Sequence, residues 1–136
     1  EVRDEQFCQE LKEKVKAHEL ENSVVFWGRR NDIPDFLKFL DVLMIPSVEE
    51  FPLAGLEAAS TGIPVVACNV AEAEEFIEVS GDGMTFKEDD AMDAATCIEK
   101  IVSNRDEMVK IGQLFANNSS MGSYAERLER LFQEVG

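Results

Sequence analysis

The chain has 136 residues, 45% of them hydrophobic and 30% charged, and a formal net charge of −15. That size suits one domain with a real core, and the charge excludes fibrous and membrane-embedded classes. No apolar run approaches the ~20 residues that cross a bilayer, and a surface this negative repels the phosphates of DNA, RNA and anionic lipid.

Residues 2–20 place Val2, Phe7, Leu11, Val15 and Leu20 four or five apart, the stripe of an amphipathic helix. Ser23–Trp27 reads as a buried strand broken by Gly28, with Arg29 and Arg30 after it. Asn31 or Asp32 caps a short helix with Pro34 in its first turn, where a missing N–H costs nothing. Ile33, Phe36, Leu37 and Leu40 form its apolar face. Val42–Ile45 is a second buried strand, stopped by Pro46. Ser47–Glu50 is loop, and Pro52 opens a helix that ends near Gly62.

Ile63–Cys68 is a third strand, and Glu72–Ile77 makes one or two helical turns. Ser80–Gly83 is a turn and Met84–Phe86 a short strand. Asp89 or Asp90 caps a helix to about Val102, and Arg105–Phe115 and Tyr124–Val135 read as two more. Short, wholly apolar strands alternating with helices predict a Rossmann-like α/β fold, a parallel sheet with helices on both faces. Ligands of such sheets bind at the carboxyl ends of the strands, here the loops after Trp27, Ile45 and Cys68.

Cys8, Cys68 and Cys97 are odd in number and form no C-x-x-C pair, which reads as reduced thiols in a cytoplasmic protein. His18 is the only histidine, so a metal site has little to build from. The chain starts at Glu1 without Met or a signal-peptide pattern, as expected of a cut segment.

The loop after the second strand carries the chemistry. Pro52 presets a helix start, so the amides near Phe51, Leu53 and Ala54 point out of the helix end, an arrangement that binds phosphate. Glu57 lies about five residues into that helix, roughly 7–8 Å along its axis. That is about the span from a bound phosphate to the ribose of its nucleotide. A carboxylate there can accept two hydrogen bonds from a vicinal diol. Glu49 lies just outside the helix start, where a sugar beyond the diphosphate would be.

Glu49 and Glu57, with seven residues between them that include Phe51-Pro52-Leu53, resemble the E-x7-E segment of the group 1 retaining glycosyltransferases. Those enzymes have the two-lobed GT-B fold, and the segment belongs to the C-terminal, donor-binding lobe. Val24–Arg30, Asp41–Ser47 and Gly62–Ala67 resemble the family's flanking strands in order and spacing. The resemblance implies that Glu57 binds the ribose hydroxyls. Glu49 would contact the donor sugar and stabilise the transition state. Amides around Phe51, Pro52 and Leu53 would meet sugar and phosphate oxygens, and the Arg30 backbone the base. The donor is expected to be a UDP- or GDP-linked sugar, with no cofactor and no metal, because basic residues neutralise the leaving diphosphate.

Three positions depart from the family pattern. Glu50 replaces a common Gly, Gly55 stands where Leu is common, and Ala71-Glu72-Ala73-Glu74-Glu75 replaces a Gly-Gly-x-Pro-Glu loop. By resemblance, residues 1–136 are a partial nucleotide-sugar-binding lobe, without the N-terminal acceptor lobe and without the first strands that carry the diphosphate-gripping Arg and Lys. The absent strands would lie between Ser23–Trp27 and Val42–Ile45, so pairing with another copy through exposed sheet edges is a further expectation.

Singly, Glu49 and Glu57 would read as solvated acids in a chain with 28 acidic residues, and the strand context reverses that. Glycoside hydrolysis by paired carboxylates lacks a sugar-stacking Trp. A receiver domain would need acids after its first strand, where Trp27-Gly28-Arg29-Arg30 stands. A non-catalytic interaction module on the same fold is the alternative from a different class.

Overall fold

The computed structural model describes residues 2–47 and 53–118. They fall into two compact units, residues 2–31 and residues 32–118. The first is α1 (Val2–Ala17) followed by turns and an extended segment. Leu11 and Val15 of the predicted stripe are half-buried, whereas Phe7 is exposed. The helix stops one turn before Leu20, at a left-handed Glu19.

The strand predicted over Ser23–Trp27 is not formed. Residues 24–28 are without regular structure, and Val25 and Trp27 are 64% and 60% exposed. An apolar run becomes a strand only where a neighbour completes its hydrogen-bond ladder. No described residue does so here.

The second unit is an α/β layer structure. Its elements are α2 (Ile33–Leu37), β1 (Leu43–Ile45), α3 (Leu53–Thr61), β2 (Val65–Cys68), α4 (Ala71–Ser80), β3 (Gly83–Phe86), α5 (Ala91–Ser103) and α6 (Arg105–Asn118). The three strands are parallel in the order β1-β2-β3, with Leu43 opposite Val65 and Val65 opposite Gly83. Among the described residues β1 is paired on one side only.

β2 is buried on both faces. Val65 and Ala67 point to one face and pack with Leu37, Ala58 and Ala73 of α2, α3 and α4. Val66 and Cys68 point to the other and pack with Ala94, Cys97 and Ile101 of α5. The two-residue period of a strand thus feeds two cores, and the predicted helices on both faces are present.

Local signals explain the boundaries. Asp32 precedes α2 with Pro34 in its first turn, as predicted, although the Asp32 side chain makes no cap hydrogen bond. Asp90 caps α5, its Oδ1 accepting from the Asp93 amide at 2.9 Å. Ala94, Cys97 and Ile101 then fall on one helix face. Helix α4 runs longer than predicted, from Ala71 to Ser80, because the next residue able to end it in a left-handed cap is Gly81, at φ 69°. The helix predicted over Tyr124–Val135 lies outside the described residues. Among the described residues no helix is long and apolar enough to cross a membrane.

Gly83 opens β3 where any side chain would collide with the Val65 carbonyl and crowd Ile77. Replacing it with alanine should lower stability by about 1–3 kcal/mol, the usual cost of forcing an atom into a packed interior. Urea unfolding followed by circular dichroism measures this, and an unchanged midpoint would contradict the packing described.

Candidate functional site

Parallel strands set the polarity of the unit. β1, β2 and β3 all end at one edge of the sheet, and α3 starts at that edge because it returns from β1 antiparallel to it. On α3, Gly55, Ala58 and Ala59 are buried, so small residues bring the helix close to α2, the sheet and α6. Gly55, where the family commonly has Leu, belongs to this close-packed side.

The opposite side of α3 is open. Leu53 is 73% and Leu56 47% exposed, and Glu57 beside them is exposed. At positions i, i+3 and i+4 these three share one face. Among the described residues the Glu57 carboxylate forms no hydrogen bond or ion pair, while its backbone carbonyl accepts from the Ser60 hydroxyl at 2.7 Å. An unsatisfied carboxylate one turn into a helix, at the carboxyl edge of a parallel sheet, can take a diol from solvent at little desolvation cost.

Glu49, Phe51 and Pro52 lie outside the described residues. Arg30 belongs to the first unit, where it is half-buried with its guanidinium 5.2 Å from the centre of the Trp27 ring, a cation–π contact. Ala71–Glu75, in place of the family's glycine loop, forms the start of α4, with Ala73 buried and Glu72, Glu74 and Glu75 exposed.

A groove of about 310 Å³, missed in the sequence, opens at the same sheet edge on the α5 side. Met44, Pro46, Cys68 and Phe86 line it, and Glu88, Asp89 and Asp90 form its rim. The acidic run 88–90 was the available signal. Such a rim disfavours an anionic ligand in this groove. No group of three or more His, Cys, Asp or Glu among the described residues is placed to hold a metal.

A parallel α/β lobe with an open carboxylate at its strand ends is the architecture of nucleotide-binding folds. The family described as "Glycosyl transferases group 1" matches residues 3–104, and the chain belongs to it. It is 40% identical over 72 residues to the lipopolysaccharide core biosynthesis mannosyltransferase LpsB of Rhizobium meliloti, covering 52% of this chain and 20% of that protein. It is 39% identical over 72 residues to a UDP-Gal:α-D-GlcNAc-diphosphoundecaprenol α-1,3-galactosyltransferase of Escherichia coli, covering 52% and 19%.

Among solved structures, Anabaena HepE in complex with UDP and glucose superposes with a TM-score of 0.78 at 24% identity. The match covers 96% of this chain and 38% of that one. The fold is therefore that of part of a GT-B glycosyltransferase, and the chain spans about a fifth of the length of the two curated relatives.

Because Glu57 is exposed and unpaired among the described residues, Glu57→Ala should change folding stability by no more than about 0.5 kcal/mol. Thermal unfolding checks this. A large loss would show that the carboxylate supports the fold rather than standing free for a ligand.

Proposed function

We propose that this chain is the donor-binding portion of a glycosyltransferase that moves a sugar from a UDP- or GDP-linked donor with retention of configuration. The observation that carries the reading is Glu57, an exposed, unpartnered carboxylate at the carboxyl edge of a parallel sheet in a group 1 glycosyl transferase. Relatives named as a mannosyltransferase and a galactosyltransferase support a hexose as the transferred group. Family membership and the exposure of Glu57 favour the enzyme over a non-catalytic interaction module.

In this reading Glu57 accepts hydrogen bonds from both ribose hydroxyls. Glu49 contacts the donor sugar and stabilises positive charge as the glycosidic bond loosens. The amides at Phe51, Pro52 and Leu53 supply two donors, since proline has none, and the helix dipole adds to them at the diphosphate oxygens. The Arg30 backbone contacts the base. No metal is required, because basic residues of the full-length protein neutralise the leaving diphosphate. Those residues, the acceptor lobe and further strands joining the open edge of β1 come from outside this chain, so the 136 residues alone are inactive.

In the full-length protein, calorimetric titration with UDP, GDP and their sugars should give binding to one nucleotide series. Glu57→Ala should weaken it at least tenfold, about 1.4 kcal/mol, in line with hydrogen bonds to a charged group. Undiminished binding by the variant would contradict the assignment. Purified residues 1–136 should transfer no sugar, and detectable transfer would overturn the partial-site reading.

A further inference from the structure

Asp82 is the one buried carboxylate among the described residues. It lies between Gly81 and Gly83 and is 1% exposed, and neither oxygen has a hydrogen-bond partner among the described residues. Its side chain presses on the middle of α6. A Cβ on Gly112 would lie 2.6 Å from Asp82 Oδ2. A glycine inside a helix costs about 1 kcal/mol relative to alanine, and at residue 112 it makes room for this carboxyl.

We propose that Asp82 is a pH-responsive latch for α6: neutral, it lets the helix seat against the turn before β3, and ionised, it drives the helix off. A neutral carboxyl can be accommodated against Gly112, whereas a buried carboxylate without partners cannot keep its charge there at low cost. α6 also packs on α3, and the Gln113 side chain comes within 3.0 Å of the Cβ position of Gly62 at the end of α3. Release of α6 therefore loosens the support of the helix that carries Glu57.

Among the described residues no other charge on α3, α4, α6 or β2 offsets the effect. On α6, Asp106, Glu107 and Lys110 are exposed. Arg105 shares the Gly112 face but lies seven residues away, roughly 10 Å along the axis. Its Nε is 3.1 Å from Asp41 Oδ1, and its Nη2 donates to the Leu40 carbonyl at 3.5 Å. On α4, Glu72, Glu74, Glu75 and Glu78 are exposed, as is Glu57 on α3, and β2 carries no ionisable side chain other than the Cys68 thiol on its opposite face.

Burial raises the Asp82 pKa above its ordinary 3.8. Ser80 and the Asp82 backbone act to lower it, and burial outweighs both. A raised acid binds its proton more tightly folded than unfolded. Its stabilising contribution is full below 3.8 and is lost as pH rises through the folded value.

The test is hydrogen exchange by mass spectrometry on the whole chain from pH 4 to 9, with intrinsic rates divided out, for wild type and Asp82→Asn. Wild-type protection of residues 105–118 should fall at least tenfold with rising pH. In Asp82→Asn it should stay level and exceed wild type at high pH. Equal decline in both proteins, or level protection in wild type, overturns the latch. Should Asp82→Asn not fold, the carboxyl carbon resonance of Asp82 in the wild type decides: titration over the same pH range in which protection of residues 105–118 falls supports the latch, and titration within the ordinary carboxylate range overturns it.

Discussion

The second unit depends on one constraint, that β2 has no solvent-facing side. Val65, Val66, Ala67 and Cys68 are all buried, so the strand must be covered above and below and paired left and right. Burying such side chains contributes about 1.5–3 kcal/mol each for the larger ones, and the sheet order follows. β1 and β3 flank it, three helices close one face, and α5 closes the other. Everything placed at the strand ends, including the start of α3, inherits its position from that covering.

The same constraint separates what the two ends of the sheet do. The carboxyl edge holds an open helix face with a free-standing acid and a groove with an acidic rim. The opposite edge, where Asp82 enters β3, is tightly closed: Gly83 lies on the Val65 carbonyl and Gly112 on the Asp82 carboxyl. Group 1 glycosyl transferases use the first edge for chemistry in the reading proposed above. The second edge is linked to α3 through α6, which packs on both.

Much of this was legible in the residues. Continuous apolar runs marked β1 and β2 because both strands are buried on their core faces, and Pro34 and the pair Asp89–Asp90 marked helix starts through backbone chemistry alone. Ser23–Trp27 misled because it is, like β2, a short and mostly apolar run, while strand formation depends on a neighbour that no local signal reports. The length of α4 was underestimated because the acidic run from Glu72 to Glu75 reads as surface, yet Ala73, Phe76, Ile77 and Ser80 give it an inward face. Glu57 was singled out by its distance from a proline-initiated helix start, and the structure leaves it exposed on α3. Glu49, Phe51 and Pro52 fall outside the described residues, so their placement rests on sequence. Asp82 could not have been singled out, since an S-G-D-G turn reads as solvated unless the helix above it is known.

The central claim is that Glu57 stands where a nucleotide's ribose is held. A crystal structure of the full-length protein with bound nucleoside diphosphate tests it most directly. The account predicts both Glu57 carboxylate oxygens at about 2.5–3.0 Å from the two ribose hydroxyls, with the phosphates at the start of α3. A nucleotide bound in the groove beside α5, or one whose ribose contacts a residue other than Glu57, would contradict it.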